Sequence, residues 1–259
     1  MPVRCLIMML ALLPLLGCER AEKPEPPPAP AEKPKETPKT EPKPVTSKRA
    51  PVNKAGTLFL ETLSDGRRRV IVTAEVCLRE GPLEQLMCRN GTKEHEAILH
   101  TPVDAKEIHA VLLVANAKPG SPVKYSDKEP KFVPASGTTI KVWLQYEKKP
   151  GETVTVDAKE WVRNARTGKA LDKDWVFAGS QLFKDPEDPK MPPYYMANNG
   201  DVICVSNFTD AMLDLPINSP KENSELAFEA WTDRIPALKT KVMVILEPVI
   251  EKEKGKDKQ

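Results

Sequence analysis

From residue 57 to 248, short runs of β-branched and apolar residues alternate with turn-forming clusters, the pattern of a strand-rich domain. Residues 57–63 (TLFLETL) and 67–76 (RRRVIVTAEV) flank Asp65-Gly66, a pair suited to a tight hairpin turn. Further strands are predicted at 139–146, 153–157, 174–178, 193–197, 201–206, 225–231 and 241–247. One segment has a different period. Ile108, Val111, Leu112 and Ala115 recur at helical spacing, which predicts a helix over about 104–116. Asp104 is placed to cap it, Glu107 completes a capping box, and Pro119-Gly120 follow its end. Val111 to Val114 are all apolar, so burial on more than one face is expected. The expected fold is α+β and β-rich, a mostly antiparallel sheet with one helix, without internal repeats.

The ends of the chain read differently. Arg4 precedes an apolar run over residues 5–16, the length of a secretory signal. It closes on Leu15-Leu16-Gly17-Cys18, which resembles a bacterial lipobox. That resemblance implies cleavage before Cys18 and its diacylation, with palmitate-type chains that give a stable membrane anchor. Glu19 at the next position points to the outer membrane over the inner one. Residues 19–56 hold ten of the 27 prolines, nine Lys/Arg and six Asp/Glu. Such a segment buries too little to offset ordering entropy and predicts a disordered spacer reaching up to roughly 100 Å. The expected organisation is a signal peptide (1–17), lipidated Cys18 with its spacer (18–56), a globular domain (57–248) and a charged tail (249–259).

Charge narrows the partners. With 39 basic and 37 acidic residues the formal net charge is +2, which argues against nucleic acid. No apolar run reaches the ~18–20 residues of a spanning helix. Catalytic signatures are missing too. Ser180 sits in AGSQL, not in a nucleophile elbow, and no phosphate-cradling glycine loop occurs.

Cysteine and histidine are the remaining candidates for chemistry. Once the signal is removed and Cys18 is acylated, Cys77, Cys88 and Cys204 remain. Gly81-Pro82 would turn a short hairpin that brings Cys77 and Cys88 together as a candidate disulfide. Buried free thiols, or metal or redox use, are the alternatives. Cys204, between Ile203 and Val205, is expected to be an inert core thiol. The histidines are His95, His100 and His109. His95 and His100 are five apart, ~140° around a helix, so they do not form a zinc-protease pair. Cys88, His95 and His109 form a weak composite candidate for a metal; otherwise no cofactor is expected.

The stretch Cys77-Leu78-Arg79-Glu80-Gly81-Pro82-Leu83-Glu84, then Cys88, then Gly91-Thr92-Lys93-Glu94-His95-Glu96, resembles the hallmark of YdjY-domain proteins. Trp175 to Ser180, Asp201 to Phe208 and Leu213-Asp214-Leu215-Pro216 are similar as well. The resemblance spans most of 57–247 and implies an exported bacterial protein of a kind frequent among planctomycetes. It brings no established activity. A ferredoxin-like cluster, attached to some members, needs about four thiolates, and this domain has three cysteines. Within the motif, Lys93, Glu94, His95 and Glu96 are the expected binding surface. The leading expectation is a lipid-anchored, non-enzymatic binding or structural module of the cell envelope. It contacts the membrane through Cys18 and an envelope protein or ligand through its domain. The alternative is a metal- or thiol-dependent envelope protein using Cys88, His95 and His109.

Overall fold

In the computed structural model the chain forms β1 (Ser47–Pro51), β2 (Leu58–Leu63), β3 (Arg68–Val76), β4 (Gln85–Arg89), β5 (Ala97–Thr101) and helix α1 (Ala105–Val114). Short strands follow: β6 (Pro119–Ser121), β7 (Lys124–Tyr125), β8 (Phe132–Val133) and β9 (Ser136–Gly137). Then come the long β10 (Thr139–Lys149), β11 (Glu152–Asp157), β12 (Val162–Asn164), β13 (Trp175–Phe177), β14 (Leu182–Phe183) and β15 (Tyr194–Tyr195). The last strands are β16 (Ile203–Cys204), β17 (Leu213–Asp214), β18 (Phe228–Ala230) and β19 (Lys241–Pro248). The structure describes residues 46–125, 132–218 and 228–250, all within the unit Lys43–Gln259. The signal peptide, Cys18 and the tail from 251 lie outside the described residues.

The expected sheet closes on itself. β3, β19, β10, β13, β17, β16, β4 and β5 are neighbours in that order, and β5 returns to β3. The result is an eight-stranded mixed barrel. Most pairs are antiparallel, but β16–β17 and β4–β5 are parallel. Its apolar interior follows from two-residue alternation. Val70, Val72, Ala74 and Val76 on β3 meet Val242, Val244 and Leu246 on β19 and Ile140, Val142 and Leu144 on β10 in one buried cluster. Trp175 and Phe177 on β13 and Leu213 on β17 join the same cluster. The seam between β3 and β5 has only two paired positions, Glu75↔His100 and Val76↔Leu99.

Three local expectations are corrected. First, residues 47–51 are a strand, not spacer: β1 pairs along its whole length with β2. All five of its residues are exposed, so it contributes backbone bonds and no core, and its Lys, Arg and Pro resemble the segment before it. Second, Gly81-Pro82 does not turn a β3–β4 hairpin. Leu83 N–H donates to Phe228 O, and Gly81 O accepts from Ala230 N–H, so this segment is drawn away to β18. β4 returns beside β5 and β16 instead. Third, α1 is covered on one face. Val111 and Leu112 are buried, while Leu113 and Val114 are about half exposed at 47% and 51%.

The ends of α1 show how local chemistry sets its length. Asp104 has the extended backbone of an N-cap but makes no side-chain cap bond; its carboxylate lies 2.8 Å from Arg89 Nε. At the other end Asn116 adopts φ 68°. Ala117 N–H then bonds to Leu112 O and Asn116 N–H to Leu113 O, a left-handed stop that satisfies the last carbonyls. Among the described residues no helix is long and apolar enough to cross a membrane.

Candidate binding site around Lys93

The turn between β4 and β5 is held by its own polar groups. Gly91 has φ 73°, its N–H donates to Glu94 Oε1 at 2.9 Å, and Thr92 Oγ1 donates to Arg89 O at 2.6 Å. This fold aims Lys93 at the segment leading into β16. Gly200 makes that approach feasible: with φ 124°, a Cβ there would lie 2.7 Å from Thr92 Oγ1 and 3.0 Å from Lys93 Cγ. Lys93 Nζ is 2.9 Å from Asp201 Oδ1 and 3.9 Å from both Glu84 Oε2 and Glu96 Oε1. The ammonium also sits 4.2 Å from the centre of the Phe208 ring. Gln85 Nε2 donates to the same Asp201 oxygen at 2.9 Å.

One ammonium therefore faces three carboxylates. Burial, then hydrogen bonding with Glu96 and its charge, push the Glu84 carboxyl up to about 7, against the pull of Lys93. Burial disfavours charge on Lys93 as well, but Asp201 outweighs it and holds the amine above its ordinary value. The polar character continues inward along β4, β16 and β17. Burial drives Asp214 up to about 8 although it accepts from Leu215 N–H and Asn207 Nδ2. Burial also raises the Cys204 thiol. Gln85 Oε1 and Asp214 Oδ2 are buried and make no hydrogen bond.

The structure divides the expected surface Lys93, Glu94, His95 and Glu96. Lys93 and Glu96 enter the cluster. His95 projects outward, 77% exposed, with Nε2 3.6 Å from Glu96 Oε2. Glu94 turns the other way and meets His100 Nδ1 at 2.5 Å. The Gly91 N–H and then His100 hold the Glu94 carboxyl below its ordinary value. Beside it, Glu75 pairs with Lys241 and lies 3.7 Å from His100 Nε2. Glu75, Asn90, His100 and Lys241 line a cavity of about 380 Å³.

Cys88, His95 and His109 do not assemble. His109 lies on α1, its Nδ1 2.8 Å from Tyr195 Oη and its ring edge-on to Phe177. Burial lowers its affinity for a proton, as suits a neutral core histidine. Among the described residues no group of three or more His, Cys, Asp or Glu is placed to hold a metal. Cys77, Cys88 and Cys204 are free thiols, and the Cys77 thiol donates to Ala97 O at 3.1 Å.

Sequence reasoning missed Glu84, Gln85, Asp201, Asp214 and Phe208 as site residues. A signal was available. Gln85 interrupts Leu83–Met87 and Asp214 sits between Leu213 and Leu215, polar groups in runs that the core buries. Only the fold joins them to Lys93.

A family model described as the YdjY domain matches residues 63–247. No curated protein matches the chain, and no solved structure does.

Proposed function

The chain belongs to the YdjY-domain family, and on that premise we propose that it is a lipid-anchored cell-envelope module that binds and does not catalyse. Leu15-Leu16-Gly17-Cys18 supports the anchor: acylated Cys18 tethers the domain, and Glu19 directs it to the outer membrane. The binding reading is carried by the Lys93 cluster. Lys93 and Asp201, 108 residues apart, meet at one site together with Glu84 and Glu96. Desolvating these charges costs free energy that an apolar contact would avoid. Carboxylates outnumber the ammonium, so the site favours a cationic group, an amine or a guanidinium, with exposed His95 and half-buried Phe208 at its rim.

Two measurements test this reading. Alkyne-palmitate labelling should mark the wild type and not Cys18→Ser, and only the wild type should sediment with membranes in high salt. Label retained by the variant would sink the anchor. For the site, the purified protein is titrated with an arginine-rich octapeptide by calorimetry. Saturable binding is expected, weakened at least about tenfold in Glu96→Gln/Asp201→Asn, since one lost charge-assisted bond is worth about that much. Equal binding by the folded double variant, or none by the wild type, would overturn it.

A further inference from the structure

β14 and β15 pair only with each other, through Leu182↔Tyr195 and Phe183↔Tyr194. Strand alternation splits these four side chains between two faces. Tyr195 turns inward and is buried, its hydroxyl donating to Gly179 O at 3.0 Å. Phe183 and Tyr194 lie side by side on the other face, 51% and 43% exposed. Leu182 and Met191 are exposed as well. Of the eleven exposed large hydrophobics among the described residues, four gather in this one hairpin, which makes a patch and not scatter. The loop between the strands carries Pro186, Pro189, Pro192 and Pro193. They fix backbone angles in advance and so reduce the entropy lost when a partner settles on it. Its carboxylates, Asp185, Glu187 and Asp188, outnumber Lys184 and Lys190. Two clamps set the hairpin beside the Lys93 cluster. At the root of β14, Gln181 Nε2 donates to Asp210 Oδ1 and Ser180 Oγ to Asp210 O, both at 2.6 Å. That ties the hairpin to the loop bearing Phe208, whose ring faces the Lys93 ammonium. On β15, Tyr194 Oη donates to Asn199 Oδ1 at 2.9 Å. Asp201 is two residues further on, at most ~7 Å along the chain.

We infer that the hairpin and the Lys93 cluster are one docking surface, and that its partner is a polypeptide segment with basic residues beside apolar ones. The inference rests on the cation-binding reading of the cluster and names what carries the cation. An arginine or lysine of the partner meets Asp201, Glu84 and Glu96, and its apolar neighbours cover Phe183 and Tyr194. An extended segment of about four to six residues spans ~14–20 Å, enough to lie across both. Charge selects this occupant. The carboxylates of the cluster and of the loop attract a basic chain and repel an anionic bilayer. Burial of the aromatic pair adds affinity that solvated rim charges do not supply.

The test titrates the purified full chain by calorimetry with two octapeptides. One is Arg-Arg, four leucines, Arg-Arg; the other has four serines in place of the leucines. Either chain direction then sets an arginine at the cluster and the central residues on the hairpin. The leucine peptide should bind at least about tenfold more tightly. Leu182→Ser/Phe183→Ser should lose that advantage and keep the wild-type unfolding midpoint, since both side chains are exposed. Phe183→Ser alone carries the comparison if the double variant fails to fold. Glu96→Gln/Asp201→Asn should weaken both peptides. Equal affinity of the wild type for the two peptides, or a leucine advantage kept by the folded hairpin variants, would overturn the inference and leave the cation site standing. Binding of neither peptide would overturn both. A wild-type dimer that the hairpin variant dissolves, without a leucine advantage, would give the surface to a second copy of the chain and overturn the inference.

Discussion

At the residue scale the domain is organised by what Lys93 neutralises. Replacing it by Met leaves Asp201 and Glu84 buried without their cation, and an unpaired buried charge is costly. Lys93→Met should lower unfolding stability by about 2 kcal/mol, read from urea denaturation; an unchanged midpoint would contradict the cluster. The raised carboxyls give a second outcome, and its sign is unusual. Glu84 rises from 4.5 to about 7 and Asp214 from 3.8 to about 8, so the folded state holds their protons more tightly than the unfolded state. Their contribution is full below the unfolded values and falls as pH rises through the folded ones. Thermal stability should therefore increase as pH drops from about 8 to about 5, by about 5 °C. Glu75 and Glu94, held below 4.5, reverse the trend once pH falls below about 4. Asp214→Asn keeps an acceptor for Leu215 N–H and should flatten the slope between pH 5 and 8. A midpoint that rises toward pH 8 would refute the assignment. Lys93 and Glu96 were legible as site residues because they crowd a short polar stretch. Asp201 and Asp214 were not, because nothing in their own neighbourhood says which cation or amide they will face.

At the scale of elements, position was more legible than pairing. β2, β3, β13, β15, β16 and the described β18 fall inside runs that alternation and composition predict, and β10, β11 and β19 extend slightly past theirs. Alternation states which side chains turn inward; it says nothing about which strand lies alongside. Hence the ring closure and the two parallel pairs were invisible, as was β1, whose side chains bury nothing. The capping box at α1 shows the same limit. Asp104 and Glu107 have the right spacing, but Arg89 takes the Asp104 carboxylate. Asp104→Ala should thus cost only about 0.5 kcal/mol, as for an exposed ion pair. A loss of about 2 kcal/mol, the upper end for a true cap, would restore the box. In the short 3-10 turn Ala158–Trp161, Asp157 does accept from Lys159 N–H, and Asp157→Ala should cost more.

At the scale of the whole molecule, the boundary of the domain moves to include β1. Trypsin should cut ahead of Ser47 and spare Lys48 and Arg49, because their strand is bonded to β2. Rapid cleavage after either residue would return that segment to the spacer. The position of β19 has a consequence for how the protein is made. It lies between β3 and β10 and is the last strand among the described residues, so β3 waits for a neighbour encoded roughly 165 residues later. At ~5–20 residues per second a ribosome needs roughly ten to thirty seconds to span that gap. Throughout it the barrel has an open edge of Val70, Ile71 and Val72, the kind of strand that aggregates when left unpaired. Residue 241 onward thus acts as a timer: the nascent chain cannot complete its barrel until those residues have been made, and β3 has to be kept from pairing elsewhere until then.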